Sequence, residues 1–239
     1  MENNLHDRKD INPIDSEHSA SINGINGDKN NYIYFNLQYT GARVDSTIIS
    51  LALVDAYGRS FYAEFTDYNM RQVDSWVLEN VLKNLTEPVD NFDGDHWTMC
   101  GKRIDVRRQI YFWLDKYVRE GRTVQFVGDV SYLGYVLLFD LLREPDKSFY
   151  ELPSWISPAT VDINQDIAGK LTSIEKFVSS MTDNKNYIPV RQAFDISRID
   201  LCKALNPDAD MTGIHYNNAL HQTYLIKTIH QFLWGMYSN

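Results

Sequence analysis

Cysteine is scarce: Cys100 and Cys202 are the only two in 239 residues. Two thiols so far apart build no disulfide framework, so the expected setting is a reducing, cytoplasmic one. Basic residues are outnumbered, with 23 Lys and Arg against 32 Asp and Glu and a formal net charge of −9. That balance excludes a whole-molecule attraction to phosphate backbones, though not a local basic groove. Long hydrophobic runs are also missing. The longest, SYLGYVLLFDLL (131–142), is about 12 residues, carries Asp140 and is too short to span a bilayer, so no membrane partner is expected.

What remains is ample material for a core: 44% of the residues are hydrophobic and 13% aromatic. This suits one sizeable α/β domain. Residues 1–30 are rich in Asn, Asp, Ser and Gly and read as a polar, disordered tail. Residues 31–239 read as the domain, with 164–214 a divergent, insert-like region.

Three strands are expected first, from NYIYFNLQY, TIISLALVDA and SFYAEFTD, joined by short turns into an antiparallel meander. MRQVDSWVLENVLKNL has helical spacing, with Val73, Trp76, Val77, Val81 and Leu85 in one stripe. NFDGDHWTMCG reads as a polar loop. KRIDVRRQIYFWLDKYVRE is an amphipathic helix closed by Gly121, and TVQFVGDV a central strand apolar on both faces. SYLGYVLLFDLL then reads as a buried helix, LPSWISPATVDI as an edge strand, and NNALHQTYLIKTIHQFLWGMY as a closing helix. This succession implies a mixed sheet flanked by helices, in the order of the ribonuclease H-like fold.

On the first strand Asn36 and Gln38 share a face. Taken with SWVLENVLKNL, GDVSYLGYVLLFDLL and NNALHQTYLIK, the chain resembles the DnaQ-like (DEDD) 3′–5′ exonucleases, in particular the small bacterial and phage exoribonuclease-like branch. The resemblance covers about residues 32–163 and 215–233 and is most specific around 47–85. It implies four carboxylates holding two divalent ions, Mg or Mn, with a His or Tyr as general base. The chain departs at every such position. Asn36 and Gln38 stand for the first Asp-x-Glu, Gly134 for the second acid, Asn217 for the base and Gln222 for the last acid. Amide oxygens offer lone pairs without charge, so the expected outcome is a pseudoenzyme with no metal cofactor.

Asn36, Gln38, Tyr39, Thr40, Phe65, Tyr135, Asn217 and Gln222 then become the ligand-binding candidates, with Tyr62 a further aromatic beside them. Lys102, Arg103, Arg107 and Arg108 form the densest basic cluster, read either as phosphate contacts or as a solvated helix face. Asp129 reads as a helix N-cap, or as a substitute metal ligand in a residual nuclease; Asp45 and Asp67 are weaker substitutes. His96 and Cys100 lack a second pair of zinc ligands, and His215 and His221 flank the altered last motif. The expected partner is an RNA 3′ end or a nucleotide, and the alternative is a protein partner or a second copy of the chain.

Overall fold

The computed structural model describes residues 31–129, 132–143, 152–170, 197–207, 214–215 and 217–235. The tail assigned to 1–30 and much of the divergent region 164–214 lie outside the described residues.

Six strands form one mixed sheet: β1 (Tyr32–Tyr39), β2 (Ile48–Asp55), β3 (Ser60–Phe65), β4 (His96–Gly101), β5 (Gln125–Gly128) and β6 (Val161–Asp162), in the order β4-β3-β2-β1-β5-β6. β2 runs antiparallel to β1 and β3, while the pairs β3–β4, β1–β5 and β5–β6 are parallel. Without the edge strand β4 this is the ribonuclease H-like order, a meander followed by two parallel strands on its other side.

Alternation along the strands sorts side chains into two cores. Ile33, Phe35, Leu53, Phe61 and Phe126 face α2 (Arg103–Arg119) and α3 (Tyr132–Leu142). Val106, Ile110, Trp113, Leu114 and Tyr117 form the buried stripe of α2 at the expected spacing. On the other face Tyr34 and Val127 meet a helix over residues 163–170 (α4), α5 (Arg198–Leu205) and α6 (Ala219–Leu233). Helices therefore cover both faces.

Three expectations need correction. The segment read as one helix over 70–85 is a 3₁₀ turn (Met70–Gln72), a short α1 (Ser75–Asn80) and a second 3₁₀ turn (Leu82–Asn84). Asp74 breaks the run, because its carboxylate caps α1 by accepting from the Val77 amide at 2.8 Å. Val77 and Val81 pack on Ile49, while Trp76 is left 56% exposed. Second, the loop assigned to 91–101 contains β4, which pairs with β3 from Ser60–His96 to Phe65–Gly101. Third, the edge strand expected across 152–163 is only Val161–Asp162, with a single bridge from Ile156 to Val124. Pro153 and Pro158 limit its ladder.

None of the described helices is long and apolar enough to cross a membrane.

Candidate functional site

β1, β5 and β6 are parallel, so their carboxyl ends lie along one side of the sheet, the usual place for ligands in open α/β sheets. At the end of β1, Gln38 Nε2 donates to Asn36 Oδ1 at 3.1 Å. The two amides line an open cleft of about 440 Å³ together with Tyr39, Gly41, Asp74 and Trp76. A register shift between Gln38 and Tyr39 marks where pairing with β2 becomes irregular.

Just past the end of β5 lies a further acid, Asp129. The parallel ladder with β1 runs to Tyr34 level with Val127, and Asp129 follows Gly128, the last residue of β5. Asp129 is not a free carboxylate. Arg198 holds it with two bonds, Nε to Oδ2 at 2.8 Å and Nη2 to Oδ1 at 2.9 Å. Asn164 Nδ2 donates to Asp129 Oδ1 and Asp162 Oδ1, both at 2.7 Å, and Asn164 Oδ1 accepts from Arg198 at 2.6 Å. Arg198 is only 4% exposed, and this network ties β5, β6, α4 and α5 together.

The donor set does not fit the two divalent ions that the resemblance implies. Asn36 and Gln38 bring no charge, and the charge of Asp129 is already balanced by a guanidinium. Among the described residues no group of three His, Cys, Asp or Glu side chains is arranged to hold a metal.

The other candidates scatter. Thr40 is buried, its hydroxyl donating to Gln72 Oε1 at 2.8 Å and accepting from the Thr47 amide, so it ties the β1–β2 turn to the 3₁₀ turn at 70–72. Phe65 lies in the core on the α2 face, while Tyr62 and Glu64 occupy the other face of β3. The Tyr62 hydroxyl donates to Glu64 at 2.6 Å, and Glu64 in turn accepts from the Thr86 and Glu87 amides. Tyr135 is a core staple: its ring packs edge-on to Phe35 at 4.8 Å, and its hydroxyl lies 2.8 Å from the Phe126 carbonyl and accepts from the Val161 amide. Burial and the charge of Asp162 raise the Tyr135 pKa, against hydrogen bonds from the Val161 and Gly128 backbone. Gly134 also rests against Phe35, where a Cβ would stand 3.5 Å from the ring.

On the closing helix Asn218, rather than Asn217, is the cap; its side chain accepts from the Leu220 and His221 amides. Asn217 is half-buried, Gln222 is buried, and neither lines the cleft. The His215 amide donates to His221 Nδ1 at 3.0 Å and the two rings stack. Burial and then the neighbouring His215 lower the His221 pKa. His96 bonds Ser60 rather than pairing with Cys100. Asp45 lies beside Arg43, and Asp67 accepts from the Arg103 amide. Lys102, Arg103, Arg107 and Arg108 belong to α2 and its cap, in the layer across the sheet from Asn36 and Gln38. Asn164 and Arg198, the partners of Asp129, carry no signal in the local sequence pattern.

No protein-family model matches the chain, and no curated protein matches it. Among solved structures it is similar to the catalytic unit of Neurospora crassa Pan2, described as a protease and nuclease domain, at 11% identity and a TM-score of 0.41. That match takes in 100% of this chain and spans about a third (34%) of the Pan2 chain.

Proposed function

We propose that the chain is a non-cleaving relative of the 3′–5′ exonucleases that holds a nucleotide or an RNA 3′ end at the carboxyl end of β1, without metal. The observation that carries this reading is the hydrogen bond between Gln38 and Asn36 inside an open cleft. With that bond made, Asn36 Nδ2 keeps its donors and Gln38 Oε1 its lone pairs, so the pair offers a donor and an acceptor side by side. Neutral amides also spare an incoming phosphate the repulsion that carboxylates would impose. Exposed Trp76 on the cleft wall adds a flat apolar surface. A residual nuclease built on Asp129 is disfavoured by the bidentate hold of Arg198.

The test pairs degradation of a labelled single-stranded RNA in excess Mg²⁺ or Mn²⁺ with a gel-shift assay on the same samples. The expected result is an intact RNA, a shift that persists in chelator, and loss of the shift in Gln38→Ala. Progressive 3′–5′ trimming would overturn the reading. An intact RNA with no shift would transfer the search to a protein partner.

A further inference from the structure

On the opposite face of the sheet, α2 and α3 border a second open cleft of about 400 Å³. Among the described residues its walls carry Lys102, Arg103, Arg107 and Arg143 against two carboxylates, Asp67 and Asp140. In a chain with a net charge of −9 this is a local reversal of sign. Both acids are already engaged. Asp140 takes Arg103 Nη2 at 2.7 Å on one oxygen and Arg143 Nε at 2.7 Å on the other, while Asp67 accepts from the Arg103 amide.

Among the described residues two cations, Arg107 and Lys102, have no carboxylate partner. Arg107 donates through Nη1 to the carbonyl of Arg143 at 2.9 Å, a neutral acceptor, and has no carboxylate partner among the described residues. Lys102 has no side-chain partner among the described residues. Burial lowers the Arg103 pKa, against the nearby charges of Asp140 and Asp67. A partly desolvated cluster with surplus positive charge is stabilised by an anion, and fixed guanidinium forks match phosphate oxygens. Exposed Ile104 adds apolar surface to the lining, above the buried Leu141. The volume is that of a small-molecule pocket.

We propose that the cleft between α2 and α3 binds a small organic phosphate monoester, with Arg107 and Lys102 on the phosphate, Arg103 held in place by Asp140, and exposed Ile104 against the organic part. The site is independent of the cleft at Asn36 and Gln38.

Isothermal titration of the full chain with phenyl phosphate and with inorganic phosphate tests this. The expected result is submillimolar binding of phenyl phosphate that weakens as salt rises, with inorganic phosphate at least fivefold weaker. Arg107→Gln and Lys102→Gln each weaken phenyl phosphate about tenfold or more, and Gln38→Ala binds it as the parent does. Lys102→Gln removes an exposed side chain and leaves the fold intact, so it remains informative if Arg107→Gln is destabilised. No binding at millimolar phenyl phosphate, or unchanged binding in both α2 variants, overturns the proposal. Equal affinity for the two probes overturns the assignment of an organic ligand. Loss of binding in Gln38→Ala places the phosphate in the other cleft and overturns the proposal without touching the RNA-binding reading.

Discussion

Arg198 grips Asp129 through two parallel hydrogen bonds, at 2.8 and 2.9 Å, in a setting where the two side chains are 5% and 12% exposed. Asp129, just past the end of β5, is thus part of the scaffold. Removing Asp129 takes the bidentate carboxylate from a buried guanidinium, and breaking a buried pair in this way costs about 3–5 kcal/mol. Asp129→Ala is expected to lose that much stability in urea denaturation, and Asp129→Leu/Arg198→Met to recover a large part of it. An Asp129→Ala variant as stable as the parent would contradict this account.

Asn36→Asp with Gln38→Glu introduces two acids into a pair that now shares a hydrogen bond. The bond, worth about 1 kcal/mol, becomes a like-charge contact. In chelator the double variant is expected to melt at least about 3 °C below the parent. Millimolar Mn²⁺ should raise its Tm and leave that of the parent unchanged. Thermal scans with and without metal read both effects, and a metal-induced rise in the parent would count against a metal-free site.

His230 is fully buried, hydrogen-bonded through Nδ1 to the Tyr34 hydroxyl, with Nε2 3.8 Å from Asp166. Burial, with a contribution from Lys170, pulls its pKa down from 6.5 to about 4. The unfolded chain therefore takes up a proton before the folded chain does. The stabilisation is complete above pH 6.5 and is lost as pH falls toward 4, up to about 3 kcal/mol. Asp166, whose pKa burial raises, opposes this in part as it protonates at the acid end. Urea midpoints from pH 7 to 4.5 should decline, and the decline should flatten in His230→Gln.

Gly128 passes under the Phe35 ring so closely that a Cβ would lie 2.7 Å from Phe35 Cε1. Gly128→Ala is expected to cost about 1–3 kcal/mol by overpacking. Combining it with Phe35→Leu should give a smaller loss than the sum of the two. A double-mutant cycle measures that coupling, and strict additivity would mean that the ring moves aside freely.

The parts of this fold that depend on short-range periodicity are legible in the residues. Asn36 and Gln38 are two apart on a strand, so their shared face follows from the pleat alone, and the buried stripe of α2 follows from the helical repeat. Depth is harder to read. Residue type alone suggests a cleft for Phe65 and Tyr135, yet an aromatic ring stacks on a ligand or fills a core with equal ease. The alternation Phe61, Ala63, Phe65 against Tyr62, Glu64 already separated Phe65 from the polar face. Gly94 and the acidic residues around it concealed β4, because turn chemistry hides a strand that follows at once. The partner of Asp129 lies 69 residues away, and no local pattern can announce it.

The outer rim of β4 is already occupied. Asn91 exchanges both backbone hydrogen bonds with Thr98, and the Asp90 carboxylate takes the Cys100 amide. A strand at the margin of a sheet otherwise offers its unsaturated peptide groups to any extended chain that drifts past. Here the polypeptide has folded its own backbone across that margin, so fibril-like growth by strand addition finds its template spent. Any self-association at this side of the molecule falls to side chains, whose preferences can be rewritten one residue at a time.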